Sequence, residues 1–168
     1  SKDVFFITDA TNVLEDELTT EYRLYKYNWA SKSISLVKDS FLNINLLDVS
    51  GDGKWIVLQT KEQISEEPVN NSQQRIYLLN TESSEISLVS LYDYLDEWVS
   101  TYGAYIDSNG QSIVISSSRG PYLYDITERE FTELNVALSK EGTINYSIYG
   151  MSPSGRILVL AESNILWL

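Results

Sequence analysis

Asp48-Val49-Ser50-Gly51-Asp52-Gly53 opens like a calcium loop, with carboxylates at its first and fifth places and glycine at its sixth. The twelfth place is Gln59, where such a loop needs a bidentate glutamate, so a plain hairpin turn is the better reading. Gly150-Met151-Ser152-Pro153-Ser154 begins like a nucleophile elbow, with glycine two places before a serine. It fails as a nucleophile elbow because serine stands at the final glycine position and the chain has no histidine to take the proton. Paired carboxylates could hydrolyse glycosides. Glu15, Asp16, Glu17, Glu66, Glu67, Asp93, Asp96 and Glu97 offer many pairs, but none is singled out by its context, and a solvated acidic rim is the simpler account. Asn70-Asn71-Ser72 and Asn145-Tyr146-Ser147 match the glycosylation pattern, which would matter only in a secreted eukaryotic protein. With no cysteine either, thiolate nucleophiles, disulfides and the commonest zinc ligands are absent. The expectation is therefore no catalytic residue, no metal and no cofactor.

The elements that carry these residues repeat. A turn recurs three times, as Ser50-Gly51-Asp52-Gly53-Lys54, Asp107-Ser108-Asn109-Gly110-Gln111 and Ser152-Pro153-Ser154-Gly155-Arg156. Each is followed by an apolar, β-branched run such as Trp55-Ile56-Val57-Leu58. Asp-Gly and Asn-Gly suggest two-residue hairpins with positive φ at both central positions. A second pattern also recurs three times: Tyr25, Tyr77 and Tyr122 each stand three places before Asn28, Asn80 and Asp125, and Ile34, Ile86 and Phe131 follow six places later. Asn and Asp suit turn starts, because their side chains bond backbone two residues on. Twelve residues separate Gly110 from Tyr122, and the same step from Gly155 lands on Trp167.

Joined, the patterns predict a four-strand unit, a to d, with a period of about 45 to 57 residues. Strand a is expected at 44–49, 102–106 and 146–151. The first unit begins at strand b, Val4 to Ile7, and the last stops in strand c at Ile165 to Leu168. A β-sandwich also has short strands and regular turns; the threefold register argues against it. Tyr25, Tyr77, Tyr122 and Trp167 are expected to be buried between neighbouring units, since equivalent positions in stacked repeats bury equivalent side chains.

The turn Ser152-Pro153-Ser154-Gly155-Arg156, the turn Ser50-Gly51-Asp52-Gly53-Lys54 and the tyrosine-led strands resemble TolB-like and WD-repeat-like β-propellers, whose blades read roughly as Ser-Pro-Asp-Gly-Lys, a β-run, then Ile-Tyr-x-x-Asp. The chain lacks the Trp-Asp and Gly-His dipeptides of true WD repeats, so the TolB-like class fits better. The resemblance implies an all-β fold of antiparallel four-stranded propeller blades, about three and a half of them, with blades near 1–40, 41–91, 100–136 and 144–168. It implies part of a larger propeller, with open edges that invite association, and it favours an extracytoplasmic location.

In such a blade the b–c and d–a connections leave one face and the a–b and c–d turns the other. The segments 9–21, 61–74, 90–101 and 135–143 would then share a face, and they hold twelve acidic and two basic residues. They account for ten of the chain's twelve excess negative charges. A segment over 91–99 has helical spacing, with Leu91, Leu95 and Trp98 or Val99 on one side. The expected role is a non-catalytic scaffold that binds a protein partner with a basic surface through Glu15, Asp16, Glu17, Glu66, Glu67, Asp93, Asp96, Glu97 and Trp98. A net charge of −12 argues against nucleic acid as a partner, and no apolar run is long enough to cross a bilayer as a helix. Two alternatives stand beside it: a propeller that accompanies or gates a separate catalytic domain of the prolyl oligopeptidase type, and a sensor for a small ligand or cation.

Overall fold

β-branched and aromatic residues fill short runs between polar turns, and these runs fold as strands because such side chains pack well on a pleated surface. The computed structural model describes residues 3–10, 13, 21–41, 43–66, 74–134, 146–152, 158–162 and 165–167, with the backbone alone for 40, 146–150, 158–162 and 165–167. A first sheet holds β1 (Asp3–Thr8), β2 (Tyr22–Asn28) and β3 (Ser33–Phe41). A second holds β4 (Ile44–Val49), β5 (Trp55–Thr60), β6 (Arg75–Asn80) and β7 (Ile86–Val89). Helix α1 (Leu91–Leu95) links it to a third, made of β8 (Thr101–Ile106), β9 (Ser112–Ser117), β10 (Gly120–Asp125) and β11 (Glu130–Glu133). A fourth holds β12 (Tyr146–Met151), β13 (Leu158–Glu162) and β14 (Ile165–Trp167). Every sheet is an antiparallel meander, so each is a propeller blade: strands b, c and d in the first, a to d in the second and third, and a to c in the fourth.

The core lies between blades. Leu24 of the first blade, with Phe5 and Ile7, packs against Ile56, Leu58, Tyr77 and Leu79 of the second. The opposite face of the second blade, Val57, Ile76, Leu78 and Val89, packs against Ile113, Ile115, Tyr122 and Tyr124 of the third. Alternate residues of each strand therefore serve two different interfaces, as the period of two requires. Tyr25, Tyr77 and Tyr122 are all buried, as the repeat predicts, while the side chain of Trp167 lies outside the described residues.

The a–b turns differ from the two-residue hairpins expected. In the second blade the Ser50 amide donates to Trp55 O at 2.9 Å and the Gly53 amide to Ser50 O at 2.9 Å. In the third the Asp107 amide donates to Ser112 O at 3.0 Å and the Gly110 amide to Asp107 O at 3.1 Å. Four residues thus span each turn, and the only positive φ angles in them belong to Gly53 at 75° and Gly110 at 66°. The extra length has a cause in the first residue of the motif. Ser50 Oγ accepts from the Trp55 amide at 3.0 Å, and Asp107 Oδ1 from the Gln111 amide at 2.7 Å, closing a wider loop that Asp52 and Asn109 enter with ordinary negative φ.

The c–d turns repeat more closely still. Asn28 Oδ1 accepts from the amides of Ala30 and Ser31, Asn80 Oδ1 from Glu82 and Ser83, and Asp125 Oδ1 from Thr127 and Glu128, all at 2.8–3.0 Å. Four residues after each of these acceptors the chain takes a left-handed residue, Lys32, Ser84 or Arg129. The Asx cap is what holds three non-glycine residues in that region.

Candidate functional site

The hydrogen bonds sort the connections onto two ends. At one end the Thr81 amide reaches Lys54 O at 2.8 Å and the Ile126 amide reaches Gln111 O at 2.9 Å, joining each c–d turn to the a–b turn of its own blade. At the other end the Ser118 amide reaches Ser100 O at 2.9 Å, and Gln59 Nε2 reaches Thr101 O at 3.3 Å. The d–a link that contains α1 therefore meets the b–c turn of the third blade and the end of β5 at one end of the stack.

That link is built by a few residues. Ser90 caps α1, its Oγ accepting from the Asp93 amide at 3.2 Å, and Asp93 sits in the first turn where a negative charge suits the helix end. Asp96 ends the helix in the left-handed region with φ 50°. Leu91 and Val99 are buried in the interface of the second and third blades, with Leu95 packed beside them. Val99, not Trp98, is thus the inward residue of the pair.

What remains faces outward. Tyr94 is 51% exposed, Trp98 63% and Tyr102 65%. Tyr94 leans on the third blade, edge-on to Tyr122 at 6.3 Å between ring centres and tilted against Phe131 at 5.1 Å. Tyr102 stands at a β-bulge, where the pairing of β8 with β9 shifts between Thr101 and Gly103. Asp93 and Asp96 are exposed, and no ion pair to either occurs among the described residues. Glu97 is half-buried and holds Arg119 at 2.6 Å. Burial chiefly pushes the Tyr122 hydroxyl above its ordinary value, and the charges of Glu133, Tyr94 and Glu97 add to this against the opposing Arg119.

Of the residues expected to meet a partner, the structure brings Asp93, Asp96, Glu97 and Trp98 together on this link. Glu66 is exposed in the loop after β5. Glu15, Asp16, Glu17 and Glu67 lie outside the described residues. Tyr94, Tyr102 and Arg119 join the site without having been expected. The helical spacing of Leu91, Leu95 and Val99 would have turned Tyr94 outward, but the bulge that frees Tyr102 leaves no mark in the sequence.

The acids of the calcium-like motif serve the fold instead. Asp48 Oδ2 accepts from the Ile106 amide at 2.9 Å, tying strand a of the second blade to strand a of the third. Asp52 is slightly desolvated, which raises its pKa, but the hydrogen bonds from Ser50 and the Lys54 amide, with the charge of Lys54, bring it below the ordinary carboxylate value. Among the described residues no three His, Cys, Asp or Glu side chains gather as a metal site would require. A cleft of about 70 Å³ opens between the second and third blades at the turn end, lined by Trp55, Leu78, Tyr124 and Arg129 among others. It is well short of the few hundred Å³ of an ordinary ligand pocket.

No protein-family model and no curated protein matches the chain. Solved structures do. TolB from Acinetobacter baumannii aligns over 88% of this chain and 34% of its own, at 19% identity and a TM-score of 0.57. The tricorn protease aligns over 96% of this chain and 14% of its own, at 11% identity and a TM-score of 0.59. Hydrazine synthase from Kuenenia stuttgartiensis aligns over 99% of this chain and 55% of its own, at 15% identity and a TM-score of 0.57. This chain thus spans a third of TolB and a smaller part of the protease, and at these identities the likeness concerns fold. The meander order of the four sheets and these alignments together show that the chain is folded as a run of β-propeller blades.

Proposed function

We propose that this chain is a non-catalytic scaffold that holds a basic segment of a protein partner at its loop end, centred on the link from the second blade to the third. One observation carries the reading: Tyr94, Trp98 and Tyr102 are more than half exposed within the ten residues 93–102, which also present Asp93 and Asp96 to solvent. Exposed aromatic faces beside carboxylates suit lysine and arginine side chains, through cation–π contact and charge together. Burial of Leu91 and Val99 between the second and third blades holds the link in place, and the partly exposed pair of Glu97 with Arg119 adds a contact to the third blade. Glu66, and by sequence Glu15, Asp16, Glu17 and Glu67, extend the negative field that would steer a basic partner inward.

The test is a titration of the chain with a Lys- and Arg-rich peptide at low and moderate salt. Binding should weaken as salt rises, and Asp93→Lys with Asp96→Lys should weaken it by roughly tenfold or more. Trp98→Ala should weaken it at both salt concentrations. Binding that is unchanged in these variants would remove the link as the contact.

The likeness to the tricorn protease, and to prolyl endopeptidases at a TM-score of 0.57, favours a second reading in which the blades accompany a separate catalytic domain. Under that reading the loop end would bind the peptide no better than a variant carrying both aspartate reversals.

A further inference from the structure

Asn109 is the only asparagine in the chain that precedes a glycine. It stands exposed in the a–b turn of the third blade, and its side chain makes no hydrogen bond among the described residues. Asn28 and Asn80 differ on both counts: they precede Trp29 and Thr81, and their Oδ1 atoms cap the c–d turns. Asp52 holds the place of Asn109 one blade earlier, but its Oδ1 accepts from Ser50 Oγ at 2.6 Å and from the Lys54 amide at 3.0 Å. A free carboxamide beside a glycine amide, which no Cβ shields, has a reaction open to it that these counterparts lack.

The neighbouring blade holds this turn shut. The Gly110 amide donates to Asp107 O at 3.1 Å, and Ser108 O accepts from the Asp52 amide at 3.2 Å. Gly51 lies so near that a Cβ on it would come within 2.8 Å of Ser108 Cβ, and the indole of Trp55 lies against Gly110. While these contacts stand, the Gly110 nitrogen is tied to Asp107 and the main chain about Asn109 is not free to bring it onto the carboxamide carbon. All of them lie on the seam between the second and third blades at the turn end, where the cleft lined by Trp55, Tyr124 and Arg129 already admits solvent.

We infer that Asn109 is a site of spontaneous deamidation, reached when the seam between the second and third blades opens, and that the modification in turn loosens that seam. With the turn released, the Gly110 nitrogen attacks Asn109 Cγ. The new N–C bond closes a cyclic imide, and Nδ2 leaves as ammonia, taking the Gly110 amide proton. Water then opens the imide at either carbonyl. Cleavage at Cγ leaves an aspartate on an unchanged main chain, as in the turn of the second blade. Cleavage at the main-chain carbonyl leaves an isoaspartate, whose main chain runs through Cβ and Cγ and is longer by a methylene. A turn packed this closely against Gly51 and Trp55 has no room for the added length.

Ageing the chain at mildly alkaline pH, followed by peptide mapping and mass spectrometry, tests this beside the isolated peptide 105–113. Asn109 should convert to aspartate and isoaspartate at least about tenfold more slowly in the folded chain than in the peptide, since a local opening must come first. Trp55→Ala, checked for parental far-ultraviolet dichroism, should speed conversion, and so should urea below the unfolding midpoint of the parent. Converted chains carry an added negative charge, so ion exchange separates them, and those with isoaspartate should unfold at lower denaturant concentration. Conversion in the folded chain at the rate of the peptide would overturn the inference. An Asn109 that stays intact in parent, variant and urea alike would do the same, as would isoaspartate chains as stable as the parent.

Discussion

At the scale of single residues the turns, more than the strands, decide where blades begin and end. Gly110 shows this most sharply: its φ is +66°, and a Cβ built there would lie 2.3 Å from Cδ1 of Trp55. The glycine therefore does two things, taking a left-handed conformation and letting the indole of the second blade lie against the turn of the third. Gly110→Ala should lower stability by about 2 kcal/mol, adding backbone strain to a clash with a ring. Denaturant unfolding, with the Gly103→Ala variant as a control where a Cβ meets nothing within 4 Å, checks it. The sequence marked these glycines as turn residues correctly but mistook the turn type. Asp-Gly and Asn-Gly promise a tight hairpin only when the residues before them leave the backbone amides alone. Ser50 and Asp107 bond those amides and widen the loop.

At the scale of elements, the strands were legible because the tyrosine-to-Asn/Asp spacing and the Gly turn each fix a phase, and two phases per blade fix four strands. Strand a, expected at 44–49, is β4 from Ile44 to Val49, and the expectation at 146–151 is met by β12. Bulges were not legible, since an extra residue in one strand changes no periodicity over so short a run. The link between the second and third blades was half legible. Helical spacing placed Leu91 and Leu95 inward but left Trp98 and Val99 undecided, and the choice depends on how the chain leaves the left-handed Asp96. Val99 buried and Trp98 exposed should respond in opposite ways. Val99→Ala should destabilise the fold by about 2 kcal/mol by leaving a hole between blades. Trp98→Ala should cost clearly less stability than Val99→Ala and should weaken peptide binding. Equal losses of stability from the two would mean that the indole, too, belongs to the core.

At the scale of the whole molecule, the fold follows from one rule: alternate residues of a strand face opposite sides of its blade, so that the first blade covers the second and the second the third. The division of the molecule into a turn end and a loop end comes from the same rule, since meander blades return their long connections to one side. The turn end is stitched by backbone hydrogen bonds such as Thr81 to Lys54 and Ile126 to Gln111, and its charges are mixed, as in the Lys54–Glu82 pair at 3.6 Å. The loop end carries the outward aromatics and the exposed aspartates of the link. The candidate site was less legible than the fold because exposure and pairing depend on contacts between blades that no local pattern encodes. Glu97 looks like its acidic neighbours in sequence, yet Arg119 occupies it. The most direct measurement is a residue-resolved map of amide chemical shifts on adding the Lys- and Arg-rich peptide. The scaffold reading predicts that the shifts concentrate at 93–102 and 118–119, leaving the turns at 51–54, 81–84 and 126–129 unmoved. Shifts concentrated in those turns, or none at all, would contradict it.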